Sequence, residues 1–458
     1  MSNRSSFDAI SPVDYRYFDE EVSHYLSDSA YTKYKLSVEF ALAKALAKRG
    51  ICPPTALKEI EKACQEVTPE EVYAEEEKVK HDVRALVNCI RARVSDAAKP
   101  YVHMTATSYD IIDTANAARF RDVTRGILIP ALKGLEKTLI GIAEREAGTV
   151  QVGRTHGQHA VPITFGYAIA GYVSRLGQSI LALEELAKAL KGKFSGAVGA
   201  YNASSLFFDD PESFEKDVLS GLGLEPVEHA TQVTQPEPMI RLLAEVTITA
   251  GIMANLSDDM RNLQRTEIGE VGELFEASQV GSSTMPQKRN PINFENVKSL
   301  WKIVVPRIVT VFMDQISEHQ RDLTNSASGR TYAETIAYTV SMAKRLDKTM
   351  QKLSVDHGHL ETNMAMQKGM IAAEPLYLML ASMGHPDAHE KVRALTLAAQ
   401  KEGKSLEDVA IGDAEMKPYL AKMTDAQKNI LENPASYTGI AAKKAKKVSA
   451  DWEKRLSP

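Results

Sequence analysis

One short run, GSSTMPQKRNP at 281–291, concentrates residue types that can do chemistry. Gly281 frees the backbone, and Ser282 and Ser283 offer hydroxyls. Lys288 and Asn290 supply N–H donors two positions apart, Pro291 ends the run, and Glu295 enters the helical pattern that follows. A lysine and an amide next to a hydroxyl are a sensible kit for gripping a carboxylate and removing a proton beside it. The run has no apolar period, so it reads as a loop. Its glycine entry and small residues predict a mobile segment, roughly 278–290, that closes over a substrate.

Further polar clusters interrupt the chain. KHDVRA (80–85) lies within a helical pattern and brings Lys80, His81 and Asp82. TSYD (107–110) precedes a long helix, where Thr107 and Ser108 also serve as plain capping residues. THGQHAVPITFG (155–166) holds His156 and His159 three apart, but with no Cys or carboxylate cluster beside them we read no metal site. SGAVGAYN (195–202) is neither GxGxxG nor a Walker loop, so no nucleotide fold follows from it. TQVTQPEP (231–238) contains Gln232, and EHQRDLTNSASGR (318–330) contains Arg321, Ser326 and Arg330. An arginine forks onto carboxylate or phosphate, although any one of them alone is more simply a surface ion pair.

Long helices must position these clusters. Leu128, Leu132, Leu135, Leu139 and Ile142 recur at steps of four and three; Val173, Leu176, Ile180, Leu183, Ala187 and Leu190 do the same. A third stripe runs Leu242, Val246, Thr249, Met253, Leu256, Met260, Leu263. Sustained 3-4 spacing belongs to helices packed lengthwise in a bundle. Thr68-Pro69-Glu70-Glu71 reads as a capping box with a first-turn proline, and Gly50, Gly148 and Gly192 sit where helices stop. We expect an all-α chain of three helical domains: 1–106, a long central bundle at 107–360, and 361–458. A seam this long predicts oligomerisation along the bundle.

Composition narrows the function classes. The 458 residues are 44% hydrophobic and 25% charged, with net charge −5, so no basic field calls for nucleic acid. The cysteines, Cys52, Cys64 and Cys89, are odd in number and widely spaced, which argues for a reducing compartment rather than a disulfide framework. No apolar run has the length of a membrane span and the N-terminus lacks a signal core, so the expected location is cytoplasmic.

Taken together, the motifs resemble the fumarase/aspartase superfamily, whose signature loop GSSxMPxKxNP appears here as GSSTMPQKRNP. The resemblance covers essentially the whole chain. Within the superfamily VKHDVRAL (79–86), TSYDIIDTA (107–115), GRTHGQHAVPITFG (153–166), the N-terminal SPVDYRY and EHQRDLTNSASGR are most similar to the adenylosuccinate lyases. Gln287 departs from that family, which commonly has histidine there; MPQK is more familiar from argininosuccinate lyases. A superfamily lyase of that second kind, and a non-catalytic crystallin-like protein on the same scaffold, are the alternatives.

The resemblance implies a homotetramer built on the bundle, with active sites shared between subunits and no cofactor or metal. It implies cleavage of adenylosuccinate to AMP and fumarate, and of the succinyl-carboxamide ribotide SAICAR to AICAR and fumarate. By the same matching Ser282 is the general base, His156 the general acid, and Glu295 the carboxylate orienting it. Lys288 and Asn290 hold the succinyl carboxylates, and His81 lies near the substrate phosphate and supports catalysis. Arg16, Tyr17, Lys80, Asp82, Thr107, Ser108, Gln232, Arg321, Ser326 and Arg330 form the implied binding set.

Overall fold

A computed structural model describes residues 10–274, 284–285, 287–367 and 369–457. Helices dominate, and the three periodic stripes become the helices Ile129–Arg145, Phe165–Lys188 and Glu237–Leu263. Their stripe residues are the buried ones: Leu132, Leu135, Val173, Ile180, Leu183, Leu242, Val246 and Leu256 are all inaccessible or nearly so. The first stripe starts earlier than its helix, because a π-helical turn at Thr124–Leu128 joins it to the helix Ser108–Val123.

The chain forms two compact units. One comprises Met1–Leu132, Gln178–Met253 and Ser299–Lys344; the other comprises Lys133–Gly177, Ala254–Lys298 and Arg345–Pro458. Every boundary between them falls inside a helix, so this partition by compactness differs in kind from a division by helix length at 106 and 360.

In the first unit Leu36, Leu42, Leu46, Ile60, Leu86 and Ile90 pack with Phe194 and Phe214 into one core. Thr68 caps the helix Pro69–Val79 with the reciprocal Glu71 contact expected of the box, and Gly50 takes the left-handed conformation after the helix Asp28–Lys48. In the second unit Leu376, Leu380, Val392, Leu395 and Leu406 form a separate core. The ring of Trp452, on the helix Ala441–Leu456, occupies the space that a side chain at Gly177 would need.

Strand signals were all but invisible in the sequence, yet the second unit carries two small antiparallel pairs. β1 (Val150–Thr155) pairs with β2 (Gln158–Thr164), and β3 (Val271–Glu273) with β4 (Leu353–Val355). The GRTHG motif is therefore a hairpin, and its register shifts between Val152 and Arg154. Gly153 sits at that shift, where any Cβ would collide with the Val161 carbonyl oxygen. The helix Glu237–Leu263 comes nearer to a membrane-length apolar run than the sequence reading allowed. Alone among the described residues it is long and apolar enough to cross one, and 61% of its most apolar window is buried inside the protein.

Candidate functional site

Within the first unit a cavity of about 700 Å³ opens at the head of the helix Ser108–Val123. Lys80, His81, Asp82, Ser108, Arg321, Ser326 and Arg330 all line it, so one cavity collects residues from 80, 108 and 321–330. KHD does not lie inside a helix as its pattern predicted. Lys80 ends the helix Pro69–Val79 in the left-handed region at φ 57°, and His81 begins the helix Asp82–Arg91 as its cap. The Nδ1 of His81 accepts the Arg84 N–H at 3.3 Å. Its proton therefore resides on Nε2, which lies 3.5 Å from the Ser108 hydroxyl. Lys35, almost buried, stands 3.8 Å from Asp82, and burial pulls its pKa down.

Arg321 stacks over the Tyr109 ring at 3.6 Å, hydrogen-bonds the Tyr109 hydroxyl, and reaches Gln232 at 3.4 Å. Gln232 thus bears on the cavity through Arg321 rather than by lining it. Arg16 is exposed, and Tyr17 lies edge-on to Tyr338 at 5.9 Å; neither lines this cavity. Thr107 caps as its type predicts, its N–H donating to Asp110 at 2.8 Å.

That Asp110 is the main residue the sequence reading overlooked. It is fully buried and receives the fully buried Lys193 ammonium at 2.5 Å, with the Ser195 and Gly196 N–H groups at 3.1 and 3.2 Å. The glycine-bearing run at 195–202 is thus built around a carboxylate from TSYD. One turn on, Asp113 accepts the Thr234 N–H at 2.8 Å, and burial lifts its pKa to about 6. Asp110 and Asp113 follow the cap at helical spacing, the one signal that would have exposed both. His103, just before TSYD, pairs with buried Glu39 at 2.6 Å; burial lowers its pKa, but the carboxylate more than offsets this and the net shift is upward.

Within the second unit His156 occupies the tip of the β1–β2 hairpin. Both turn residues are left-handed, His156 at φ 55° and Gly157 at φ 73°, as a two-residue hairpin turn requires. The imidazole is consequently held out and exposed. Beneath it Arg154 forks onto Glu270, 2.6 and 3.1 Å, and that fully buried carboxylate also accepts from Gln151 and Asn363, each at 2.8 Å.

A second cavity, about 1210 Å³, is lined by Gln287, Lys288, Asn290 and Glu295 together with Arg261 and Arg265. Lys288 and Glu295 are exposed, and Glu295 sits in the first turn of the helix Ile292–Val304. Gly281, Ser282 and Ser283 lie outside the described residues. Among the described residues no hydrogen bond or ion pair joins His156 to Glu295 within one chain, and no cluster of three His, Cys, Asp or Glu side chains is placed to hold a metal ion. The proposed residues thus form two sets: one around the first unit's cavity, the other on the hairpin and loop of the second.

Comparison with known proteins agrees with the motifs. Residues 16–305 match the family model described as Lyase, and 317–433 match the one described as adenylosuccinate lyase C-terminal. The adenylosuccinate lyase of Pyrococcus abyssi is 37% identical over 441 residues, covering 94% of this chain and 96% of its own. That of Methanocaldococcus jannaschii is 36% identical, covering 94% of each chain. The crystal structure of 3-carboxy-cis,cis-muconate lactonizing enzyme from Pseudomonas putida superposes with a TM-score of 0.86 at 26% identity, over 98% of this chain and 100% of that one.

Proposed function

The chain belongs to the adenylosuccinate lyase family of the fumarase/aspartase superfamily, and from that premise we propose how its residues eliminate fumarate from adenylosuccinate to leave AMP. It is a carbon–nitrogen lyase. SAICAR, which presents the same succinylamino group, is the second substrate of the proposal.

The chemical difficulty is a proton on a carbon next to a carboxylate, whose removal drives further negative charge onto that carboxylate. Ser282 takes the proton as alkoxide. Lys288 and Asn290 hold the succinyl carboxylates and neutralise the developing charge. His156 gives its proton to the departing nitrogen, with Glu295 keeping the imidazole charged and oriented. Such acid–base assistance contributes roughly 10² to 10⁴ in rate, and positioning supplies much of the rest. Lys80, His81, Asp82, Thr107, Ser108, Gln232, Arg321, Ser326 and Arg330 bind the nucleotide and the succinyl group, and Arg16 and Tyr17 add contacts from the N-terminal segment.

One observation carries this assignment. At the head of the 108–123 helix an imidazole with its proton on Nε2, a hydroxyl, and the Arg321 guanidinium, stacked on a tyrosine, line one cavity of a size for a small-molecule ligand.

The proposal includes a homotetramer, three helical domains with the central bundle at its axis, cytoplasmic location, and active sites to which several copies contribute. Support comes from the exposed apolar side chains Ile248, Val309, Phe312, Met313 and Ile316, which are 51% to 77% accessible in the single chain. It comes also from the chemistry, since the acid on its hairpin tip needs a carboxylate neighbour and no hydrogen bond or ion pair among the described residues gives it one. Fumarate release from adenylosuccinate, followed for the wild type and for Ser282→Ala, is the test. Near wild-type turnover by Ser282→Ala would remove Ser282 from the mechanism and make Ser283 the next candidate.

A further inference from the structure

The stretch from just before β3 to its end holds two carboxylates three residues apart, Glu270 and Glu273, both buried and neither part of the reaction scheme above. Glu270 takes the Arg154 fork two residues before His156. Glu273 faces the other catalytic element. One of its oxygens accepts the Asn293 and Phe294 N–H groups at 2.9 and 3.0 Å, and the other accepts the Asn293 side-chain amide at 2.8 Å. It thereby caps, from a distant strand, the helix whose first turn carries Glu295 and whose start lies two residues after Asn290.

Gln264 reinforces this end. Its side-chain oxygen accepts the Glu273 N–H, and its amide donates to the Arg289 carbonyl, both at 3.2 Å. The segment's own conformation is fixed as well. Gly269 is left-handed at φ 64° with the His359 ring where a Cβ would stand, and Asp356 donates its N–H to the Glu270 carbonyl at 2.9 Å. A buried carboxylate is costly unless its oxygens are occupied. Two such groups with multiple donors each, so close in sequence, indicate a built strut.

We propose that Glu270 and Glu273 are positioning residues: Glu270 anchors the hairpin that carries His156, and Glu273 anchors the loop end that carries Lys288 and Asn290, so that each element is held for the site it serves. The proposal rests on the roles assigned above to those three residues. Electrostatics adds a handle. At His159, on the far side of the same hairpin, burial lowers the pKa, the Arg154 charge lowers it further, and the Glu270 charge raises it. The charges of the pair therefore act on the second strand of the hairpin.

The experiment measures fumarate release and its pH profile for Glu273→Ala, Glu273→Gln, Glu270→Gln and Arg154→Met, with thermal unfolding followed by circular dichroism. Glu273→Ala should lower kcat about 100-fold, the scale of an ångström-sized misplacement, with a smaller change in KM. The near-isosteric Glu273→Gln, which folds if the alanine variant does not, should lower kcat roughly tenfold. Glu270→Gln leaves Arg154 uncompensated and should move the alkaline limb of kcat down by about one pH unit. Arg154→Met leaves Glu270 uncompensated and should move that limb up. General destabilisation would not displace the two limbs in opposite directions.

Wild-type kcat in both Glu273 variants, limbs that stay together, or losses that vanish once corrected for the folded fraction would each overturn the strut. His156→Asn in the same assay keeps the outcomes separable. If it retains full turnover the catalytic assignment fails, whatever the glutamates do.

Discussion

In the first unit Asp110 and Lys193 are both inaccessible and answer each other, and the polar loop 195–202 is assembled on that pair. In the second unit the side chains that would do chemistry, His156, Lys288 and Glu295, stand exposed, and the burial is delegated to carboxylates behind them. The first arrangement suits recognition, because a cavity fixed before the ligand arrives loses little side-chain entropy on binding. The second suits proton transfer between groups that must meet a substrate and other donors. What is held rigid there is the turn or helix end, while the reacting atom is left accessible.

Mutations can break or sharpen this contrast. The largest effect is expected at His156. Asparagine tolerates the left-handed backbone but cannot donate a titrating proton, so His156→Asn should lower kcat by about 10² to 10⁴ while the unfolding midpoint barely moves. A drop in stability comparable to that of a core mutant would mean the hairpin tip is structural. Lys193→Met should do the reverse, costing about 3 to 5 kcal/mol in denaturant titration by stranding a buried carboxylate. A cost below 1 kcal/mol would show that Asp110 finds other partners.

Glu136 tests burial without an answer. Both of its oxygens are buried and lack a hydrogen-bond partner among the described residues, and burial pushes its pKa up to about 9. The folded state then holds a proton that the unfolded chain has released. Between the ordinary glutamate pKa and about 9, stability falls as pH rises, by at most ~1.4 kcal/mol per pH unit. Glu136→Gln should flatten that slope, giving a gain at pH 8 that disappears near pH 4; equal midpoint shifts at the two pH values would refute the burial argument. The smallest effect is expected for Arg321→Lys, which keeps the charge but loses the planar stack on Tyr109. KM for adenylosuccinate should rise about tenfold, roughly 1 to 2 kcal/mol, with kcat little changed. An unchanged KM would remove Arg321 from the binding set.

The helices were legible because their stripes are long: Leu242 to Met260 repeats often enough that no local preference competes with it. Thr68 and Gly50 were legible because caps are chemically local. The β1–β2 hairpin was not. Its strands alternate poorly across the shift at Gly153, and its turn uses histidine where asparagine would have announced it. KHD was read into a helix because helical patterns flank it on both sides, and only the left-handed Lys80 separates them. Candidate site residues could be named because motifs are short and ordered. Their supports could not, since Asp110 with Lys193 and Glu270 with Arg154 are joined across 83 and 116 positions of chain. Periodicity carries no record of such partners.

The backbone at His156 has a consequence for which sequences can occur there. A residue at φ 55° in a two-residue turn excludes β-branched side chains, whatever its chemistry. Variants selected only for folding should therefore converge on asparagine, aspartate, histidine and glycine, and those selected for turnover on histidine alone. The two selections overlap in the residue the chain already has. Drift at this position is confined by geometry before catalysis is consulted, and a recovered asparagine would mark a lineage that kept the fold and gave up the proton.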